Sequence, residues 1–175
     1  MKFNKIFLNI LIFIILSVPC ANAEQKIVFL NIQTILTKSI SGKYLNSNIN
    51  KLQEKKIIKF NENKENLQNE EKKLITKKNI LEKSKFEEQA KILRNKIIDF
   101  NNEKKNFFNN LNKKKINGTN QILKTLDPIL KEYSSKNSIS LILQKKNILL
   151  GENSIDITED IIKLLDDKIK KIDLG

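Results

Sequence analysis

The side chains able to do chemistry in this chain are mostly carboxylates and amines. There is no histidine, and the one cysteine, Cys20, lies near the N-terminus. Without imidazole or thiol in the rest of the sequence, the usual nucleophilic triads, Cys/His metal sites and histidine acid–base chemistry are excluded. Paired carboxylates remain: Glu70 with Glu71, Glu87 with Glu88, Glu159 with Asp160, and Asp166 with Asp167. Adjacent residues on a helix point about 100° apart, so such pairs do not converge on one substrate atom. They read as solvated helix faces or as complements to a helix dipole. No G-x-x-x-x-G-K run is present to cradle a nucleotide phosphate. The sequence therefore predicts no catalytic residue, no metal site, no cofactor and no enzyme activity.

The amines are unevenly placed. The formal net charge is +13, and residues 42–115 hold 20 Lys and Arg against 10 Asp and Glu, whereas residues 116–175 balance nine against nine. Such a surplus attracts polyanions, anionic membrane surfaces and acidic chain segments. Richness in Lys, Asn and Ile could itself supply much of this charge, so basicity alone assigns no partner. No DNA-binding motif or aromatic stacking platform accompanies it, and no nucleic-acid partner is expected.

The charged region is organised around one apolar repeat. Phe86, Ala90, Leu93, Ile97, Phe100, Lys104, Phe107 and Leu111 follow at alternating spacings of four and three, interrupted only by the lysine. This is the seam of a left-handed coiled coil, and it needs a partner. Upstream, Phe60, Leu67, Leu74 and Leu81 recur every seven residues, but their companion positions are polar: Asn63 or Lys64, Glu70 or Glu71, Lys77 or Lys78. The spacing predicts a long antiparallel hairpin with a half-dry seam. Its reversal is expected at Lys83, Ser84 and Lys85, where Ser84 and Glu87 have capping-box spacing. The competing arrangement is one uninterrupted helix of more than 80 residues paired with another chain. Gly118, just beyond the basic cluster Lys113, Lys114 and Lys115, reads either as a flexing point or as a close helix crossing or local fraying. The Asn117-Gly118-Thr119 sequon reads as coincidence in a helix. Pro128 is expected to open a fresh helical turn.

Around the hairpin lie shorter elements. Lys2 and Lys5 precede an apolar run from Ile6 to Val18, then Pro19, Cys20 and the Ala21-Asn22-Ala23 triplet. This predicts an export signal cleaved after Ala23, in preference to an uncleaved anchor or a lipid-modified Cys20. Ile27, Val28, Phe29 and Leu30 read as a strand buried on both faces, and helical spacing runs on from Thr34. Ser138 to Leu143 reads as a second strand, and Ile148, Leu149 and Leu150 as a third. A final amphipathic helix is expected, capped by Asp156 or Thr158, with Ile161, Ile162, Leu164, Leu165 and Ile169 on its apolar face. Three short strands and one helix are too small a body to bury a sizeable core, and strands apolar on both faces would aggregate with open edges. Pairing across copies is the expected solution, with Ile27, Val28, Phe29, Leu30, Ile139, Leu141 and Leu143 at the contact.

The segments KIVFLNIQTILTKSISGKYL (26–45) and ISLILQKKNILLGENSIDITEDIIKLL (139–165), with Asp156, Ile157 and Thr158 ahead of the last helix, resemble the Skp/OmpH family of periplasmic chaperones. The arm matches only as a charged heptad hairpin, and its Asn and Lys richness is a departure. The resemblance implies a homotrimer whose β-rich body carries three helical arms around a cavity for unfolded outer-membrane proteins.

Together these readings predict an α+β, predominantly α fold: a signal at 1–23, a β-rich oligomerisation body from 24–42 and 116–175, and a helical hairpin arm at 43–115. The expected function is an ATP-independent periplasmic holdase for unfolded outer-membrane proteins. Client contacts are expected at Lys77, Lys78, Lys83, Lys85, Phe86, Lys91, Arg94, Ile98 and Phe108, with an anionic membrane or lipopolysaccharide surface as a further partner. The alternatives are a coiled-coil spacer or membrane-surface protein of the envelope and, behind it, a basic nucleic-acid binder.

Overall fold

The computed structural model describes residues 25–174. The export signal read at residues 1–23, with Lys2, Lys5 and Cys20, lies outside the described residues. The chain runs β1 (Lys26–Leu30), α1 (Ile32–Lys38), α2 (Ile40–Thr76), α3 (Lys83–Lys136), β2 (Ile139–Gln144) and α4 (Thr158–Lys168). Single 3-10 turns at Lys145–Asn147 and Asn153–Ile155 join the last two elements.

The helical spacing that begins near Thr34 is broken once. Ser39 adopts extended backbone between α1 and α2, and its Oγ accepts from the Gly42 amide at 3.1 Å. A side chain at Gly42 would place a Cβ 2.3 Å from the Leu36 carbonyl oxygen, so this corner admits only glycine. The next free amide, that of Ile40, donates to Asp166 Oδ1 of α4 at 2.7 Å. One of the sequence-adjacent carboxylates thus adds a second acceptor to the N-terminus of the arm helix beside the Ser39 cap, supplied from another element.

From that corner α2 extends 37 residues, about 55 Å at 1.5 Å per residue. It returns as α3, antiparallel to it. The expected seam forms: Phe60, Leu93 and Leu111 are buried, and Leu67, Leu74, Phe86, Ala90, Ile97, Phe100 and Phe107 half-buried. Lys104 and the polar companions Lys64, Glu70, Glu71, Lys77 and Lys78 remain in solvent. The best-packed point is Phe60, whose ring meets Phe100 at 5.8 Å and Phe107 at 5.7 Å edge to face. Lys56 pairs with Glu103 and Glu70 with Lys96 across the helices.

Two expectations about the long helices need correction, and the open reading of Gly118 is resolved. The reversal occupies residues 77–82, not Lys83 to Lys85. Lys77 and Leu81 close tight turns, and the Phe86 amide donates to the Glu82 carbonyl as the first bond of α3. Ser84 is then already helical, so the capping box with Glu87 does not form; a capping residue must stand outside the helix. Pro128 lies inside α3 instead of starting a turn. Its missing N–H deprives the Lys124 carbonyl of a partner, but both residues face water. Gly118 is buried in an unbroken helix, and an added Cβ would lie 2.7 Å from Leu45 Cδ1 and 3.0 Å from Ile172 Cδ1. It is a close crossing, not a flexing point.

In the body β1 and β2 pair in parallel, with Val28 opposite Ile142 and Phe29 opposite Leu143. Val28 and Leu30 join Ile35, Leu45, Ile122, Leu126, Ile129, Ile161 and Leu165 in the core. The expected third strand at Ile148 to Leu150 is absent. The second side of β1 is taken by the segment before α4, where the Ile157 amide donates to the Phe29 carbonyl at 2.9 Å. That bridge covers β1 only around Phe29, and Leu149 and Leu150 stand fully exposed.

Asp156 locks this corner. Its Oδ1 accepts from the Thr158 amide at 3.0 Å and hydroxyl at 2.5 Å, and its Oδ2 meets Lys145 Nζ at 2.9 Å. Thr158 Oγ1 in turn accepts from the Asn31 amide at 2.9 Å, tying the end of β1 to the start of α4. Burial on its own would push the Asp156 carboxyl up. The hydrogen bonds from Thr158 and Lys145 outweigh it and hold the group below its ordinary value of 3.8.

Phe60→Ala should cost about 3 to 5 kcal/mol in urea unfolding, the range for truncating a buried aromatic ring. A depressed folded-state pKa contributes stability that is complete above the unfolded value and is lost as pH falls through the folded value. Asp156→Asn should therefore lower stability at neutral pH and flatten the decline in urea midpoint between about pH 5 and about pH 2.

Candidate functional site: the basic arm and the open face of the body

Two surfaces collect the residues singled out from the sequence, and they lie at opposite ends of the molecule. The first is the arm tip. Between residues 72 and 85 six lysines face one glutamate. Among them Lys77 and Lys78 lie in the reversal, and Lys83 and Lys85 open α3, all exposed. Lys85 pairs with Glu82 at 3.6 Å, a contact both partners make in solvent, where it contributes little. The tip also carries two residues that the sequence reading passed over. Ile75 is 61% exposed and Ile80 81% exposed, apolar side chains in a ring of ammonium groups. The signal was an isoleucine beside Asn79 in the stretch that turns, outside both heptad seams.

Lys91, Arg94 and Ile98 lie exposed on α3, as does Ile92. Phe86 is drawn half-buried into the seam, and Phe108 packs at 5.4 Å from Phe107 and 6.4 Å from Phe60. These two aromatic rings are therefore parts of the hairpin's own packing instead of free contact groups. Sequence periodicity placed Phe86 in the seam correctly but could not show that Phe100, Phe107 and Phe108 gather around Phe60.

The second surface is the outer face of the sheet. Parallel pairing puts Ile27, Leu141 and Leu143 on it, all exposed, next to Leu149 and Leu150. Ile139 is half-buried against the core. Val28, Phe29 and Leu30 are only 2–3% exposed within the single chain, which removes them from any contact between copies. Val28 and Leu30 face the subunit core. Phe29 points outward but is covered by the backbone at Gly151 and by Lys145, whose Nζ sits 5.3 Å from the ring centroid. The exchange is informative: the loop holding Leu149 and Leu150 shields one apolar residue and exposes two.

Among the described residues no group of three His, Cys, Asp or Glu could hold a metal ion, and no helix is long and apolar enough to cross a membrane. A recess of about 730 Å³ between α3 and α4 is lined by Ile129, Tyr133, Asp160, Leu164 and Lys168. There Tyr133 donates to Asp160 at 3.1 Å; burial first, then that carboxylate, raises the phenol above its ordinary value. The arrangement binds the tyrosine more firmly to its proton and makes it no better as a base.

Residues 26–165 match the sequence profile of the family described as outer membrane protein (OmpH-like). Among solved structures, an OmpH-like protein from Caulobacter crescentus CB15, described provisionally as an outer membrane chaperone, has a similar fold. The TM-score is 0.75 at 17% identity, over 85% of this chain and 88% of that one. Among curated proteins none matches at a significant level.

If Ile75 and Ile80 serve a surface and not the fold, replacing both with serine should leave the urea midpoint nearly unchanged, within about 0.5 kcal/mol. A loss comparable to that of a core residue would show that the tip is packed in solution.

Proposed function

We propose, from the premise that this chain belongs to the OmpH-like family, that it is an ATP-independent holdase for unfolded outer-membrane proteins, neither an enzyme nor a cofactor carrier. It works in the periplasm after removal of residues 1–23 and assembles as a homotrimer, with arms projecting from a shared body.

The observation that carries this reading is an exposed basic prong rooted in an unfinished body. Ile27, Leu141 and Leu143 share the exposed outer face of the sheet, Leu149 and Leu150 stand exposed in the loop that follows β2, and the outer edge of β2 has no partner among the described residues. Exposed apolar surface and an open strand edge favour association with further copies. Assembly through this face leaves the arms free around a common space. An unfolded outer-membrane strand alternates apolar and polar residues and aggregates unless shielded. The lysine surplus raises its encounter rate where it carries acidic residues, and the exposed Ile58, Ile92 and Ile98 supply apolar contact without demanding a sequence. Such contacts are weak singly and many together, so release needs only a better binding site. The tip, with Ile75 and Ile80 among its lysines, suits an anionic membrane or lipopolysaccharide surface as a secondary contact.

The test is light scattering from an outer-membrane protein diluted out of urea, with the solution mass of the chaperone measured in parallel. Suppression at stoichiometric trimer, weakening as salt rises, is expected. No suppression at any salt overturns the reading. Leu149→Asp with Leu150→Asp should reduce the mass to that of one chain and lower suppression with it.

A further inference from the structure

The segment after α4, residues 169–174, lies beyond the stretch that matches the family profile. It leaves the helix at Ile169 in extended backbone and crosses α3 at Gly118. Ile172 and Leu174, two residues apart, both reach the notch made by the missing side chain of Gly118. A Cβ there would meet them at 3.0 and 3.3 Å, with Leu45 closing the other side at 2.7 Å. Ile172 is buried. Between them the backbone of Asp173 is held at both polar groups by one side chain. Gln121 Nε2 donates to the Asp173 carbonyl at 2.6 Å, and Gln121 Oε1 accepts from the Asp173 amide at 3.1 Å. Lys114 Nζ donates to the Leu174 carbonyl at 2.8 Å.

These contacts grip a strand by its backbone and by alternate apolar side chains. A primary amide that pairs with both groups of one residue imitates a neighbouring β-strand. The alternation it accepts is the pattern of an outer-membrane strand. We infer that the notch formed by Leu45, Gly118 and Gln121 is a binding subsite for extended peptide segments with apolar residues at alternate positions, occupied at rest by the chain's own residues 172–174. The resident segment is a tethered competitor. Tethering gives it an effective concentration on the order of millimolar, so a client displaces it when held elsewhere on the arm or at many points, and a free peptide does so only at saturating concentration. The inference rests on the holdase reading for the identity of the client.

The probe is a fluorescent ten-residue peptide alternating leucine with polar residues, and the readout is its anisotropy on the full chain. Ile172→Asp with Leu174→Asp releases the resident segment and should tighten peptide binding at least tenfold. Adding Gln121→Ala should abolish that gain, and a peptide of the same composition with its leucines adjacent should not show it. Equal affinity in the unsubstituted and released chains, or a gain that survives Gln121→Ala, overturns the inference. Should the released variant fail to fold, hydrogen exchange on the unsubstituted chain decides. Saturating peptide should speed exchange at the Asp173 amide, and unchanged protection overturns the subsite. Light scattering on the same unsubstituted chain separates the two ideas. Suppression of aggregation with flat peptide data sinks the subsite alone, whereas absent suppression sinks the holdase.

Discussion

Two parallel strands cannot be joined by a turn, because the chain leaves one at the end opposite to where it must enter the next. In this protein β1 and β2 are that pair, and everything from Ile32 to Lys136 is the connection between them. Most crossovers are a single helix laid on the sheet. Here the connection runs out along α2 and back along α3, so one small hydrogen-bonded ladder fixes both roots of a prong several times longer than the ladder itself. The body holds its shape only if those roots hold theirs.

That explains why the polar interactions concentrate at the base of the arm. Asp166 adds an acceptor to the N-terminus of α2 from across the body, Ser39 and Gly42 shape the corner from α1, and Asp156, Thr158 and Asn31 bind the end of β1 to α4. The Asp166–Ile40 and Asn31–Thr158 bonds join elements far apart in sequence, the other two shape local corners, and each satisfies a backbone group that would otherwise be stranded. Farther out, the arm has no such anchors. Its seam is apolar on α3 and apolar at every other position on α2, with one phenylalanine cluster around Phe60 as its firmest point. Beyond the cluster the helices are held by buried Leu93, by half-buried apolar residues and by ion pairs in solvent, the last of which contribute little.

The same economy leaves apolar surface uncovered in two places with different character. On the body it lies on the outer face of the sheet and in the loop after β2, with the outer edge of β2 unpaired among the described residues. On the arm it is scattered as single isoleucines among lysines. The notch at Gly118 is different again, since it is already filled, and filled by an extended stretch whose backbone is held at both ends of one residue.

The heptads from Phe60 and Phe86 are local periodicities, and one-dimensional pattern was enough to set two antiparallel helices, the depth of Leu93 and Leu111, the exposure of Lys104 and the amphipathic last helix. The ends of the chain carried the family resemblance in the same way. Pattern failed wherever the outcome depended on a neighbour distant in sequence. Val28, Phe29 and Leu30 are apolar like Leu141 and Leu143, yet they are buried within one chain, Val28 and Leu30 in the core and Phe29 under residue 151 beside the bridge to Asp156. That bridge comes from the segment before α4, and Leu149 and Leu150, which read as a strand, stand exposed in the loop. Ser84 and Glu87 had the spacing of a cap but lost it to a helix that began earlier, and Gly118 could have been a hinge or a crossing until Leu45 and Ile172 closed on it. Sequence alone determined which residues share a helix face, since that follows from backbone geometry a few residues at a time. Tertiary structure decided which edges, caps and apolar faces were already taken, because occupancy is a property of the whole packed chain.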